Sequence, residues 1–216
     1  PDSVDDQTAA AMMLKGMTAH MLLFKCYPVQ QNDTILVHAA AGGVGSIMCQ
    51  WANLLGAKVI GTVSSDDKAD KARANGCQHP INYTAEDFAR RVKEITDGKG
   101  VPVVYDSVGK DTFQGSLDCL QAFGSLITFG NASGPIPPVD PLVLMQKGSL
   151  ALSRPTLMNY AADRHRRDIA ARDLFDVVGN GNVKIEIGQK FPLSETAEAH
   201  RALEGRKTIG STVLLP

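Results

Sequence analysis

The sequence predicts an α/β fold, a doubly wound parallel sheet with helices on both faces, followed by a C-terminal α+β segment. Three observations predict it. From Thr34 to Ser153 short apolar runs alternate with amphipathic stretches, the pattern of strands and crossover helices. The first run leads into a glycine-rich turn that opens a helical pattern. After Ser153 the alternation breaks, so the tail does not extend the repeating unit.

The expected strands are 34–39, 58–63, 101–106, 125–129 and 149–153, with a weaker one at 81–83. They are short and nearly continuously apolar, as strands covered on both faces must be. Between them, 45–55 places Ile47, Met48, Trp51 and Leu55 on one helical face. The Ala-rich stretch 67–75 stops at Gly76, and 85–96 spaces Phe88, Val92 and Ile95 helically before Gly98. A helix over 111–123 is expected to end at Gly124. The stiff loop Gly134-Pro135-Ile136-Pro137-Pro138 precedes another short helix. In the tail a helix is expected over 163–178, a strand near 185–187, a helix over 194–203 and a closing strand over 212–215. Residues 1–30 read as helix, and the Met-rich apolar face there (Met12, Met13, Met17, Met21) reads as core.

The turn Ala39-Ala40-Ala41-Gly42-Gly43-Val44-Gly45 carries the chemistry. It follows a buried strand and opens a helix, the setting in which GxGxxG binds a dinucleotide, with Ala40 standing for the first glycine. Gly42 permits close approach of the pyrophosphate and Gly45 permits helix–strand packing. A Rossmann-type cofactor domain follows. An NAD site ends its second strand in Asp or Glu, which accepts from the ribose 2′-hydroxyl. Here the strand ends at Val63 and continues Ser64-Ser65-Asp66-Asp67-Lys68. Ser64 donates and Lys68 supplies positive charge, while Asp66 and Asp67 read as cap and first-turn residues. NADPH is therefore the expected cofactor; a solvated surface lysine is the competing reading of Lys68.

The bulk properties exclude other classes. Net charge is −1, so no global field favours nucleic acid or an anionic membrane surface. No apolar run approaches the ~20 residues that span a bilayer. Cys26, Cys49, Cys77 and Cys119 are scattered, which argues against a zinc site or disulfide framework and for reduced thiols in the cytoplasm. The five histidines are isolated, and neither a GxSxG elbow nor a YxxxK pair is present. No catalytic residue and no metal ligand are expected in this chain.

Further motifs extend the pattern: Gly61-Thr62-Val63, Ile81-Asn82-Tyr83, Val104-Tyr105-Asp106-Ser107-Val108-Gly109, Phe129-Gly130-Asn131, Gln146-Lys147-Gly148-Ser149-Leu150 and Ser153-Arg154-Pro155. With the glycine turn they resemble, nearly end to end, the NADPH:quinone oxidoreductases of the zinc-free, zeta-crystallin-like medium-chain dehydrogenase/reductase superfamily, and the bacterial type most closely. The resemblance implies that Ser64, Lys68 and Tyr83 hold the 2′-phosphate. It implies that Thr18, Gly43 and Val44 lie along the cofactor, that Ser107 lines the adenosine side, and that Phe129, Gly130 and Asn131 face the nicotinamide half. Ser153, Arg154 and Arg206 would complete the cleft. It further implies quinone reduction and a homodimer through the cofactor domain, with strand 149–153 and loop 134–141 as candidate contacts. An enoyl or alkenal reductase of the same superfamily, or a non-enzymatic crystallin-like or RNA-binding role, are the alternatives. The family carries an N-terminal β domain of roughly a hundred residues, ordinary for a domain, that this sequence lacks. The expected division is a lead-in over 1–13, the dinucleotide domain over 14–155 and a part returning to the substrate domain over 156–216, so the chain taken alone is expected to be weakly active or inactive.

Overall fold

A computed structural model describes residues 1–205 and 208–216. Its main sheet has six strands: β1 (Thr34–Val37), β2 (Lys58–Val63), β3 (His79–Asn82), β4 (Val101–Asp106), β5 (Leu120–Thr128) and β6 (Ala151–Ser153). They lie in the order β3-β2-β1-β4-β5-β6, and every neighbouring pair is parallel. This is the order of doubly wound dinucleotide folds, with the crevice at the β1/β4 switch point.

Alternate residues of each strand feed opposite layers. Ile35 and Val37 of β1 join Met12, Leu22, Ile47, Met48 and Leu174 on one face. Leu36 turns to the other face, with Ile60, Ile81, Val104, Leu117 and Leu126. Burial on both sides accounts for the unbroken apolar runs.

Helices α1 (Asp6–His20), α2 (Gly43–Leu54), α3 (Asp66–Ala74), α4 (Phe88–Ile95), α5 (Phe113–Cys119) and α6 (Pro141–Gln146) cover the sheet. Residues 1–30 are not helical throughout: α1 passes into a π-helical segment, Met21–Cys26, and the chain then extends to β1. The helix expected over 111–123 stops at Cys119. Leu120 begins β5 instead, and Phe123 turns left-handed at φ 60° with its side chain in solvent.

The tail consists of α7 (Leu157–Ala162), α8 (Arg164–Gly179), β7 (Ile187–Pro192), α9 (Thr196–Glu204) and β8 (Ser211–Leu215). Helix α7 has no counterpart in the sequence expectations. The strand expected near 185–187 begins only at Ile187 and pairs in parallel with β8. The tail packs back on α1: Leu174 of α8 fills the space beside Gly16, and His20 bonds Asp173 at 2.9 Å and the Tyr160 hydroxyl at 3.2 Å.

Candidate functional site

Strand β1 gives way to a turn whose backbone is tightly held. His38 N donates to Tyr105 O and Ala40 N to Thr62 O, both at 3.0 Å. Ala39 then adopts φ 53°, and Gly42 N donates back to Ala39 O at 2.8 Å. Gly42 is extended and caps α2, but has no side chain to bond the first amides. The helix ladder begins at Ser46 N to Gly42 O, so the N–H groups of Gly43, Val44 and Gly45 precede it. A Cβ at Gly45 would stand 2.3 Å from Ala39 O, so glycine is what lets the helix approach the strand end so closely. Three amides ahead of the ladder and the positive end of a 12-residue helix dipole thus face the switch point, an arrangement suited to an anion.

Beside the turn lies a cavity of about 230 Å³ lined in part by Gly42, Ser64, Lys68, Tyr83, Leu203 and Thr208. Ser65 caps α3 by accepting from Lys68 N, which turns the Lys68 side chain toward the strand end. There Lys68 Nζ donates to Ser64 Oγ at 3.1 Å. The nearest acid is drawn elsewhere: Asp66 accepts from Asn82 Nδ2 at 2.9 Å. The helix cap is Ser65, and both aspartates occupy the first turn. The end of β2 thus offers a hydroxyl and an ammonium where an NAD site has a carboxylate.

A second cavity, about 450 Å³, is lined by Thr18, Met21, Phe129, Arg154, Pro155, Thr156 and Leu157. Arg154 is fixed across it, donating to Gly130 O at 3.1 Å and Thr128 Oγ1 at 3.3 Å. Gly130 is compelled by contact: a Cβ there would meet Ser107 O at 2.3 Å. A larger cavity, about 520 Å³, opens at the opposite ends of the strands, beside Thr34, Lys58 and Gly100. That end lies away from the strand carboxyl termini where open α/β sheets bind ligands.

The structure therefore brings Gly42, Ser64, Lys68 and Tyr83 together, and separately Thr18, Phe129 and Arg154. Gly43 and Val44 open α2 and line neither cavity. Ser107 and Gly130 meet through their backbones, while Asn131 and Ser153 are exposed and line neither cavity. Arg206 lies outside the described residues. Sequence reasoning missed Leu203 and Thr208, which reach the first cavity from the tail. It also missed Lys15, the only Lys, Arg, Asp or Glu between Gln7 and Phe24.

Two buried polar groups beneath the turn are structural. Asp106 accepts from Val108 N, Gly109 N and Thr112 Oγ1, which occupies its carboxylate. His38 bonds Thr62 Oγ1 at 2.8 Å and Ser116 Oγ at 2.9 Å. Ser116 donates its own proton to Thr112 O, so the network assigns Nε2–H of His38 as donor to Ser116 and Nδ1 as acceptor from Thr62. Burial pushes the His38 pKa down to about 4, against an opposing pull from Asp106. Among the described residues, no group of three or more His, Cys, Asp or Glu could hold a metal ion, and no helix is long and apolar enough to cross a membrane.

Comparison with known proteins extends this geometry. A family model described as zinc-binding dehydrogenase matches residues 43–166. A quinone oxidoreductase of Pseudomonas aeruginosa is 53% identical, covering 100% of this chain and 66% of its own length. A 2-haloacrylate reductase of a Burkholderia species is 51% identical, over 99% of this chain and 64% of its own. The crystal structure of Escherichia coli quinone oxidoreductase complexed with NADPH superposes with a TM-score of 0.98 at 47% identity, covering 100% of this chain and 67% of that one. The chain spans about two thirds of the length of these relatives.

Proposed function

The chain belongs to the zinc-binding dehydrogenase family, where it groups with quinone oxidoreductases, and on that premise we propose that it is the cofactor-binding part of an NADPH-dependent quinone reductase. The observation that carries the cofactor choice is the Ser64–Lys68 donor pair at the end of β2. A dinucleotide fits the residues present: uncapped amides for the pyrophosphate, and a hydroxyl–ammonium pair beside it for a 2′-phosphate. When bound, NADPH supplies the reducing equivalents. The chain's own residues bind and orient it: Gly42, Gly43 and Val44 at the pyrophosphate, and Ser64, Lys68 and Tyr83 at the 2′-phosphate. Ser107 lies on the adenosine side. Thr18, Phe129, Gly130 and Asn131 border the nicotinamide half, and Ser153, Arg154 and Arg206 complete the cleft, Arg206 being assigned from the sequence alone.

The domain division at 13/14 and 155/156 belongs to the same proposal, as does a cytoplasmic setting, which the four free cysteines favour. Homodimerisation through the outer edge of β6 is supported by the exposure of Ala151 and Ser153 there. A second reading, reduction of an activated alkene, is favoured by the 2-haloacrylate reductase at 51% identity. Steady-state oxidation of NADPH by the full-length protein, with a benzoquinone in one series and a conjugated enone or haloacrylate in another, separates the two. Turnover confined to the quinone is expected; turnover confined to the alkene refutes the first reading in favour of the second.

A further inference from the structure

Lys15 is a lone charge in an apolar stretch of α1, flanked by Met12, Met13, Leu14 and Met17. Its stem crosses the start of α2. A Cβ built on Gly43 would lie 2.6 Å from Lys15 Cδ, 2.7 Å from Cε and 3.0 Å from Nζ. The ammonium therefore stands beside the first residue of α2, whose amide precedes the helix ladder. Its hydrogen bond runs to Ser211 Oγ at 2.8 Å, and Ser211 also bonds Ala11 O at 3.3 Å. An ammonium has three donors, so this bond leaves two. Among the described residues no carboxylate lies within ion-pair distance of Lys15. Half-burying a cation without a carboxylate is unfavourable, and the positive end of the α2 dipole makes it more so. Burial holds the Lys15 pKa below the ordinary lysine value. An anion seated on the turn would reverse both penalties.

Resting on the reading of this turn as a dinucleotide site, we propose that Lys15 is the cation that meets the pyrophosphate from the α1 side. Its role is separate from that of Lys68. The pyrophosphate is common to NADH and NADPH, so Lys15 sets the affinity for both, whereas Lys68 sets the choice between them. Ser211, at the start of β8, holds the ammonium in place when the turn is empty.

The test is a set of binding titrations on the full chain with NADPH, NADH and adenosine 2′-monophosphate. The variants are Lys15→Met, which keeps the stem over Gly43, and Lys15→Gln, in case the first fails to fold. Lys15→Arg retains the charge, and Ser211→Ala removes the resting partner. Lys15→Met is expected to weaken NADPH and NADH alike by about tenfold and to leave the monophosphate unchanged. Lys15→Arg restores most of the loss, and Ser211→Ala keeps wild-type affinity. Undiminished dinucleotide binding by both neutral variants, a parallel loss of the monophosphate, or a Ser211→Ala defect equal to that of Lys15→Met would each overturn the assignment while the dinucleotide site stands. Failure of the wild-type chain to bind either dinucleotide would overturn the site and Lys15's role with it.

Discussion

Gly45→Ala tests the turn most sharply. The added Cβ would sit 2.3 Å from Ala39 O and 2.9 Å from Ala40 Cα, both backbone atoms that cannot rotate away. An ordinary carbon–oxygen contact is about 3.3 Å, so α2 must move off the strand end by about 1 Å. That movement loosens Ile47, Met48 and Trp51, which are at most 2% exposed. Each contributes roughly 2 kcal/mol by burial, and a gap of about 1 Å forfeits a quarter to a half of each contact. The loss is therefore roughly 1.5–3 kcal/mol, partly offset by up to about 1 kcal/mol from the better helix propensity of alanine. We expect a net destabilisation of about 1–2 kcal/mol. Trp51 is the only tryptophan and lies on the displaced helix, so its fluorescence in urea reports the change directly. The same shift withdraws the amides of Gly43 and Val44, so NADPH affinity is expected to fall about tenfold or more. A variant as stable as the wild type with unchanged NADPH affinity would refute the reasoning.

Ala39 adopts a left-handed φ of 53°, so Ala39→Gly is expected to stabilise the protein by about 0.5–1 kcal/mol; a urea midpoint at or below the wild-type value would contradict this. The His38 pKa is depressed to about 4 in the folded protein from an ordinary 6.5, so below about pH 6.5 the unfolded chain takes up a proton that the native chain refuses. Stability is then full above pH 6.5 and falls by about 2–3 kcal/mol by pH 4.5; burial lowers His20 as well, with the same sign. Urea unfolding at pH 7 and pH 4.5 should show a smaller loss for His38→Gln than for wild type, and equal losses would remove His38 from the account.

The central strands were legible because burial on both faces leaves an unbroken apolar record, and Gly45 was legible because a side chain there would strike the backbone of Ala39 and Ala40, with Gly42 read from the spacing of the turn. Ser64 and Lys68 could be read from the missing acid after Val63. Leu120 to Phe123 were misread because apolar residues followed by Gly124 look like the last turn of a helix. In the fold, Gly100 packs against the backbone of Cys119 to Gln121, and Phe123 N donates to Gly148 O at 2.8 Å, contacts distant in sequence. Strand β7 was displaced because Ile187–Pro192 alternates half-buried and exposed residues and includes Gly188 and Lys190, a weak strand signal. Leu203 and Thr208 reach the first cavity only because the tail folds back, where Gly210 bridges to Gly42, and no local pattern announces that.

The central claim is that the end of β2 selects a 2′-phosphate. The most direct measurement is the ratio of NADH to NADPH dissociation constants for wild type and Lys68→Ala at one fixed salt concentration. The account predicts that wild type favours NADPH by about tenfold or more, and that Lys68→Ala lowers NADPH affinity toward that of NADH while leaving NADH binding unchanged. Equal wild-type affinities for the two cofactors, or an equal loss of both in Lys68→Ala, would contradict it.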